Sequence, residues 1–399
     1  MHVPTSAGVN TGLKRFRPRI LLVATGIDRG RLAVLERFSR WTGAEVTVWR
    51  YTTWWWKSCE ASAVCVRDSE RFGFKAPFRL LGDDAFFHLD PRVVSAIYSS
   101  RWDALIAYGY GSFTTLAAML AAGAKRVPRI LWSDARLEYE RQRRWPWRAY
   151  KLLLHRLASS FIASGTSARQ FLESTGVRAN AITVVPYAID NEYFLSQAAY
   201  WVPRRAEVRA DLRLRQECMA VLFVGRMVME KGVAELIRAA RTAESHGADL
   251  ALLLVGAGPD EQHFRSLATQ LGLRNCRFIG GVPPSLLGRY YAASDVFVLP
   301  SHRDVWGKVV NEAALFSLPI VVTNDVGAGS DLVIDGRNGF RVKTRDVNDL
   351  AGTLLRLAGD RALRQNMGSE SHELVRRWDL GLAVQRLAAA VQAAGVPLR

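Results

Sequence analysis

The fold is decided by a pattern that begins at Ala220-Val-Leu-Phe-Val224, a short continuous apolar run followed directly by Gly225. A helix-like stretch over about 232–245 comes next, and a second apolar run, Leu250-Ala-Leu-Leu-Leu-Val255, follows it. Apolar runs of this length without polar alternation are typical of strands that are buried on both faces of a parallel sheet. Their alternation with helices predicts an α/β domain of the doubly wound type.

The same alternation occurs in both halves of the chain. A polar, basic connection around 193–217 separates two sets of strands, and the sequence therefore predicts two Rossmann-like domains facing each other across a cleft, over 1–200 and 201–379. We expect the terminal helical segment, 380–399, to pack back on the first domain. Further predicted strands lie at Ile20–Ala24, Glu45–Trp49, Asp103–Ala107, Arg129–Trp132, Phe161–Ala163, Ile182–Val185, Arg277–Ile279, Val296–Leu299 and Ile320–Val322. Ligands of such sheets bind beyond the carboxyl ends of the strands.

The composition of the 399 residues is that of a globular protein, with 49% hydrophobic and 23% charged residues. The formal net charge of +17 is uneven, since residues 1–200 contribute +12 and the remainder +5. A basic surface indicates an anionic partner, such as a phosphate-bearing substrate or an anionic lipid.

The apolar runs predict no membrane-spanning helix, because each is only long enough for a strand. The polar, basic N-terminus lacks the apolar segment of a signal peptide. The four cysteines form no C-x-x-C pair and no zinc-site spacing, which favours a reducing cytoplasm over a disulfide-linked fold. We therefore expect a cytoplasmic protein.

The junction Gly225-Arg226-Met-Val-Met-Glu-Lys231-Gly232 joins the first strand of the second domain to its helix. Backbone N–H groups, the helix dipole and the cations Arg226 and Lys231 would converge there, which suits a phosphate group. The segment is not a Walker loop, because G-x-x-x-x-G-K-[ST] is absent. A solvated helix N-terminus with ordinary basic residues is the alternative.

Three further junctions carry candidate chemistry. In Asp304-Val-Trp306-Gly307-Lys308-Val-Val-Asn-Glu312, one acid precedes a predicted helix that starts at Gly307, and the other lies inside it. The small residues over 326–332 would leave N–H groups for a diphosphate, or would simply form a tight turn. The third junction, over 255–259, resembles the start of a dinucleotide fingerprint but fails, because Glu261 stands where the third glycine belongs.

In order and spacing, these motifs resemble the donor domain of retaining GT-B glycosyltransferases of family 4 (group 1). The resemblance covers about Val221–Val342 and includes Tyr290-Tyr-Ala-Ala-Ser-Asp-Val-Phe-Val-Leu-Pro-Ser301, Pro319-Ile-Val-Val-Thr323 and Gly336-Arg-Asn-Gly-Phe340. In the N-terminal half only Ile182–Tyr193 is similar. The resemblance implies a GT-B fold with an acceptor-binding first domain and a second domain that binds a nucleotide-diphosphate sugar.

The resemblance also implies roles for individual residues. Arg226 and Lys231 would neutralise the diphosphate, Glu312 would bind the ribose hydroxyls, and Asp304 would face the sugar. These four residues are the candidate catalytic group. The candidate donor-binding residues are Gly225, Gly281, Val282, Trp306, Gly307, Lys308, Val309 and Gly327.

Two departures from the family pattern concern the sugar and the first domain. The first acid of the family pair is usually Glu, and here it is Asp304, which is one methylene shorter. The histidine found in many members after the strand 129–132 is replaced by Ser133-Asp134, with Glu138 nearby. We expect Asp134 to cap a helix or to be solvated, with a polar role in the cleft as the alternative.

Chemically, transfer from a nucleoside diphosphate builds negative charge on the leaving oxygen, which cations and aligned N–H donors stabilise. No D-x-D metal motif occurs, so the sequence predicts a reaction that needs no metal and no cofactor, with the nucleotide-sugar as donor substrate. The family resemblance implies that the anomeric configuration is retained.

A segment of the first domain mixes cations, aromatic residues and leucines, as membrane-surface segments do. We expect it to contact an anionic membrane or the acceptor, with Trp54-Trp-Trp56 adding an aromatic contact. A core helix with a solvated basic face is the alternative, and no nucleic-acid module is recognisable. The residues assigned to this surface are Arg143, Arg144, Trp145, Trp147, Arg148 and Lys151.

The sequence thus favours a glycosyltransferase that uses a UDP- or GDP-sugar and a glycan or lipid-linked acceptor, peripheral at the inner face of the cell membrane. Two alternatives stay open. One is a protein of the same fold that binds a glycan or nucleotide-sugar without catalysis, and the other is a sugar epimerase of this fold. A nicotinamide-dependent oxidoreductase is disfavoured by the failed fingerprint.

Overall fold

The computed structural model describes residues 17–24, 26–50, 64–68, 74–77, 86–137 and 145–398. Within these residues the chain forms two parallel β-sheets covered by helices and one separate antiparallel hairpin. The prediction of two Rossmann-like α/β domains is confirmed. The predictions made for Trp54–Trp56, Glu138, Arg143 and Arg144 fall outside the described residues.

The first sheet has seven strands in the order β3-β2-β1-β6-β7-β8-β9, and every neighbouring pair is parallel. Strands β4 and β5 form the hairpin. The strands are β1 (Arg19–Ala24), β2 (Glu45–Arg50), β3 (Val64–Asp68), β4 (Phe74–Pro77), β5 (Phe86–Leu89), β6 (Ala104–Tyr108), β7 (Arg129–Ser133), β8 (Ser160–Ala163) and β9 (Ile182–Val184).

The second sheet has six parallel strands in the order β12-β11-β10-β13-β14-β15. Strands β10 and β11, which both have neighbours on two sides, are buried along their whole length, as their unbroken apolar sequences predict. The strands are β10 (Met219–Val224), β11 (Leu250–Val255), β12 (Cys276–Gly280), β13 (Val296–Leu299), β14 (Ile320–Thr323) and β15 (Gly339–Val342).

Helices connect the strands and cover both faces of each sheet. In the first domain and the connection they are α1 (Arg29–Thr42), α2 (Arg92–Ser99), α3 (Phe113–Ala124), α4 (Trp145–Leu157), α5 (Thr166–Ser174), α6 (Asn191–Trp201) and α7 (Arg205–Asp211). In the second domain they are α8 (Val233–Ser245), α9 (Glu261–Gln270), α10 (Pro284–Ala293), α11 (Val309–Leu315), α12 (Gly329–Leu332), α13 (Val347–Gly359) and α14 (Arg361–Val375), and α15 (Leu380–Ala393) ends the series.

The last helix, α15, returns to the first domain. Its apolar side chains, among them Leu387 and Val391, belong to the core that contains Ile20 and Ile106 of the first sheet. The chain therefore crosses between the domains twice, once after β9 and once between α14 and α15. Trp378 lies at the second crossing.

The short edge strands β3 and β15 and the hairpin were not predicted. These two edge strands are only five and four residues long and contain charged residues, as is common for strands with a hydrogen-bonded neighbour on one side only. The stretch around 193–217, predicted only as a polar connection, contains helices α6 and α7. Two of its basic residues are structural, because Arg205 and the fully buried Arg209 both bind Asp295 of the second domain.

Candidate active site

A cavity of about 220 Å³ lies at the carboxyl edge of the second sheet, where it faces the first domain. Such an edge is where parallel sheets bind their ligands, because loops and helix N-termini converge there. The lining contains seven of the residues that the sequence predicted for the site together with Tyr187 of the first crossing. The predicted residues are Gly225, Lys231, Asp304, Trp306, Gly307, Lys308 and Val309.

Lys231 and Asp304, which are far apart in the sequence, meet in this cavity. The Lys231 ammonium Nζ lies 2.6 Å from Asp304 Oδ2, and both side chains are largely buried. Gly232, which ends the turn that carries Lys231, has a φ of +69°, and a Cβ there would lie 1.9 Å from the carbonyl oxygen of Pro300. Only glycine permits this approach, which places the ammonium beside the loop after β13.

The turn at Gly327 supports the loop of Asp304 and Trp306 instead of offering free donors. The Gly327 N–H donates to the Asp304 carbonyl oxygen at 3.0 Å, and the Ala328 N–H donates to that of Trp306 at 2.8 Å. A Cβ at Gly327 would lie 1.9 Å from the carbonyl oxygen of Val305. The expectation that Gly327 binds a diphosphate through its N–H is corrected, because that N–H is already used.

Glu312 lies on α11, and the helix begins at Val309, two residues later than predicted from Gly307. The Tyr291 hydroxyl donates a hydrogen bond to Glu312 Oε2 at 2.8 Å. Burial raises the pKa of Glu312 to about 6, against the opposing influence of Tyr291 and Lys308. Glu312 is outside the lining of the cavity, one helical turn behind it.

The indole of Trp306 is a structural element of the site. It is 4% exposed, stacks on Tyr187 with ring centroids 5.6 Å apart and packs on Trp378 at 5.5 Å. Its Nε1–H donates to Asn311 Oδ1 at 2.8 Å. Trp306 therefore lies between the two chain crossings, and what it can offer a ligand directly is mainly backbone.

Arg226, Gly281 and Val282 lie outside the lining of the cavity. Arg226 and Gly281 are exposed and follow β10 and β12 at the same edge of the sheet. The turn after β11 lies between them, since the Gly225 N–H donates to the Val255 carbonyl oxygen at 3.0 Å and the Gly256 N–H donates to the Gly280 carbonyl oxygen at 2.8 Å. Their positions suit a ligand that extends from the cavity along this edge.

Several contacts join the two carboxyl edges across the cleft. The buried Arg136 donates to the backbone oxygen of Asp304 at 3.2 Å and to that of Asn324 at 3.1 Å. The N–H of Thr166 donates to Asp331 Oδ2 at 3.1 Å. Arg136 and Thr166 thereby tie loops of the first domain to the loops that shape the cavity.

A charged cluster at the carboxyl edge of the first sheet was not predicted. The buried Arg31 donates to Asp28 Oδ2 at 3.1 Å, to Tyr187 Oη at 2.8 Å and to Asp134 Oδ2 at 2.7 Å. Tyr108 and Ser164 also donate to Asp134. The expectation that Asp134 is a cap or solvated is therefore wrong, since it is a partly buried partner of Arg31.

The sequence did contain a signal for this cluster. Asp28, Tyr108, Asp134, Ser164 and Tyr187 all follow or end strands of the first sheet, so their shared edge was predictable. Their pairing with Arg31 was not, because the partners are separated by 77 to 156 residues except for Asp28.

The basic and aromatic segment is only partly a surface. Trp147 is 7% exposed and stacks on Tyr150, and Lys151 is 5% exposed with its ammonium 4.3 Å from the centre of the Tyr110 ring. The prediction of a membrane-facing role is wrong for these two residues, because their side chains point into the protein. Trp145, at 79%, and Arg148 are exposed on the outer face of α4.

A second cavity, of about 500 Å³, lies between α4 and α5 in the first domain. Its lining combines the cations Arg148 and Lys151 with the apolar side chains of Leu152 and Phe171.

Among the helices of the described residues, none is long and apolar enough to cross a membrane.

Residues 204–373 match the family described as "Glycosyl transferases group 1". The matched region contains the whole lining of the 220 Å³ cavity except Tyr187.

Relatives match mainly over half of the chain. The capsular polysaccharide biosynthesis glycosyltransferase CapM of Staphylococcus aureus is 30% identical over 168 residues, 41% of this chain and 43% of that protein. The D-inositol 3-phosphate glycosyltransferase of Nocardia farcinica is 33% identical over 210 residues, 50% and 45% of the two chains. A GDP-mannose-dependent phosphatidylinositol monomannoside mannosyltransferase of Mycobacterium tuberculosis is 30% identical over 231 residues, 55% and 58% of the two chains. The chain thus spans about half the length of the curated relatives it matches.

Solved structures share the fold over nearly the whole chain. Anabaena HepE in complex with UDP has a TM-score of 0.72 at 18% identity, over 95% of this chain and 100% of that chain. Sucrose-phosphate synthase from Thermosynechococcus elongatus has a TM-score of 0.71 at 19% identity, over 94% and 98%. The chain therefore has the GT-B fold that the sequence resemblance predicted.

Proposed function

We propose that this chain is a retaining glycosyltransferase of family 4, which transfers a sugar from a UDP- or GDP-sugar to a glycan or lipid-linked acceptor. The observation that carries the proposal is the cavity at the carboxyl edge of the second sheet. It joins Gly225, Lys231, Asp304 and Lys308 inside a region that matches a glycosyltransferase family. The solved relative with UDP and the GDP-mannose-dependent relative support the donor class.

The proposed roles follow from charge and position. Lys231 and Lys308 would stabilise the negative charge that develops on the departing diphosphate, in a cleft partly shielded from water. Glu312 would accept hydrogen bonds from the ribose through the oxygen that Tyr291 does not occupy. Asp304 would orient the sugar while it holds Lys231. The departing phosphate would assist in removing the proton from the acceptor hydroxyl, which is compatible with retention.

The donor class can be tested on the purified chain with a panel of UDP- and GDP-sugars in a thermal-shift measurement. A donor that binds only the folded state adds about RT ln(1 + [L]/Kd) to the free energy of unfolding, and the melting temperature rises as a result. We expect one base to be preferred, and we expect release of the matching nucleoside diphosphate when an acceptor extract is added. No shift with any donor contradicts the proposal. Binding without release favours a non-catalytic protein of the same fold.

We further propose that the chain acts peripherally at the cytoplasmic face of the membrane. The outer face of α4 supports this, because exposed Trp145, Arg148, Leu152 and Leu153 combine cationic and apolar side chains. A vesicle flotation assay with anionic and neutral liposomes tests it. We expect binding to anionic vesicles that Trp145→Ala weakens, whereas Trp41→Ala, which removes another exposed tryptophan, from α1, does not. Equal flotation of both variants and the parent contradicts this surface.

A further inference from the structure

The two lysines of the 220 Å³ cavity are each paired with a carboxylate, but the two carboxylates belong to different domains. Lys231 and Asp304 both belong to the second domain. The Lys308 ammonium, by contrast, lies 2.7 Å from Asp28 Oδ1, and Asp28 precedes α1 in the first domain. The second pair therefore bridges the cleft and connects the proposed donor site to the first domain.

Asp28 is held in place without the help of Lys308. Its carboxylate accepts hydrogen bonds from the backbone N–H of Arg31 at 3.1 Å, from the Arg31 guanidinium at 3.1 Å and from the Tyr187 hydroxyl at 3.0 Å. Burial by itself would raise the pKa of Asp28, but the charges of Arg31 and Lys308 outweigh burial and hold that pKa well below its usual range. Three contacts that do not involve Lys308 thus fix the position of the carboxylate.

Lys308 is the more exposed partner of the pair. Its side chain is 32% exposed, against 18% for Asp28, and it ends a flexible four-carbon stem in the lining of the cavity. The groups that face it are Asp28 from the first domain, the Tyr187 ring 5.5 Å from its ammonium, and Glu312 from its own helix, whose pKa it lowers. A diphosphate in the cavity would be a further anion within reach of the same ammonium.

The local charges make Asp28 and a bound diphosphate competitors for the Lys308 ammonium. Asp28 and Asp134 carry two negative charges, and Arg31 and Lys308 balance them. A diphosphate would add negative charge beside Asp28 and would attract Lys308 more strongly than a single carboxylate does, since it carries more charge and more acceptor oxygens.

We propose that Asp28 is a positioning residue that pairs with Lys308 when no donor is bound and yields it to the diphosphate of the donor. The inference rests on the proposed function, since it assigns a regulator to the same site. Donor binding thereby breaks a bridge between the domains and leaves the Asp28 carboxylate facing the cleft. The first domain in this way sets the donor affinity of the second.

A double-mutant cycle tests the proposal. The dissociation constants of inorganic pyrophosphate, UDP and GDP are measured by calorimetry on the full chain, on Asp28→Asn, on Lys308→Met and on the double variant. We expect Asp28→Asn to tighten the preferred diphosphate by about fivefold, the scale of a partly exposed ion pair. Lys308→Met should weaken binding, and in its presence Asp28→Asn should change the affinity less than about twofold.

Two further variants separate competition from other effects. Glu45→Gln removes the same charge from the start of β2, at the opposite edge of the same sheet, and should leave the affinity unchanged. Asp28→Ser also keeps a helix-capping side chain and should reproduce the effect of Asp28→Asn. It replaces Asp28→Asn in the cycle if that variant folds poorly.

The outcomes distinguish the inference from the function on which it rests. Weaker binding by Asp28→Asn would mean that Asp28 aims Lys308 at the phosphate, and an equal gain with and without Lys308 would indicate a long-range charge effect. Either result overturns the competition, as does unchanged binding, while each leaves the proposed function intact. If no variant binds any of the three probes, both the inference and the proposed function fail.

Discussion

The carboxyl edges of the two sheets face the same cleft, but they differ in how their polar residues are used. At the second edge, Lys231, Asp304 and Lys308 line a cavity that can hold a ligand. At the first edge, Arg31 is buried among Asp28, Asp134 and two tyrosines, with several of its N–H groups donated inside the protein. Position at a strand end therefore indicates proximity to the cleft at both edges, whereas the lining of a cavity distinguishes the charged residues of the second edge from the Arg31 cluster.

The largest expected effect is on folding and concerns the first edge. Arg31→Met leaves Asp28 and Asp134 partly buried without their shared cation. We therefore expect a loss of about 3–5 kcal/mol in the free energy of unfolding, measured by urea denaturation.

The matched control lies on the same helix. Arg37 is 44% exposed and forms a 3.6 Å ion pair with Glu192, so Arg37→Met should change stability by less than about 0.5 kcal/mol. If Arg31→Met folds with unchanged stability, the first edge is not a structural cluster, and a ligand-binding role for Arg31 gains support.

The second effect is on catalysis and concerns the second edge. Lys231→Met removes a cation from the cavity and should reduce the rate of sugar transfer by about 10²–10³, which is roughly 3–4 kcal/mol of barrier. The rate is measured by nucleotide release in the presence of the preferred donor and acceptor. The melting temperature is measured as well and should fall, because Asp304 loses its 2.6 Å partner in a largely buried pair.

Lys343→Met makes the same substitution at an exposed position of the second domain and should leave transfer unaltered. A Lys231→Met variant with near-normal turnover would remove Lys231 from the proposed site. A variant that unfolds would make Lys231 a structural residue, like Arg31 at the other edge.

The smallest expected effect is a pH dependence at Glu312. Burial raises its folded-state pKa from 4.5 to about 6, so the ionised carboxylate costs stability above pH 6, and that cost disappears as the pH falls below 4.5. The cost is about 1–2 kcal/mol, and Glu312→Gln should remove this part of the pH profile in urea denaturation.

Donor binding should respond to pH in the opposite direction. If the ribose hydroxyls donate to ionised Glu312, the donor affinity should fall by up to about tenfold between pH 6 and pH 5, because the carboxylate must first lose its proton. Calorimetry on the parent and on Glu312→Gln checks this, and the variant should bind weakly at both pH values. A parent affinity that is constant over this range would argue against Glu312 as the ribose ligand.

Much of the site in the second domain was predictable, because its residues lie in short segments that follow strands. The segment from Asp304 to Val309 is one loop entering one helix, so its local sequence carries both the glycine and the charges. The use of the turn at Gly327 was not predictable. A free helix N-terminus and a turn that donates to a neighbouring loop have the same small residues, and only the partner distinguishes them.

Burial explains the errors made in the first domain. Trp147 and Lys151 lie in a segment rich in arginine and tryptophan, and composition cannot tell which side of a helix faces the protein. The structure places Trp145 and Arg148 outside and the other two inside, since α4 packs on the core through one face only.

The layered α/β architecture and the approximate place of the ligand follow from the sequence alone. Apolar runs indicate the buried strands directly, and glycines after those strands indicate the turns. Which charges meet depends on the three-dimensional arrangement of the chain. Lys308 forms an ion pair with Asp28. Arg136 donates to the carbonyl oxygen of Asp304, which lies 168 residues further along the chain. These partners meet because the two sheet edges face each other across a cleft. No local pattern along the chain encodes this long-range arrangement.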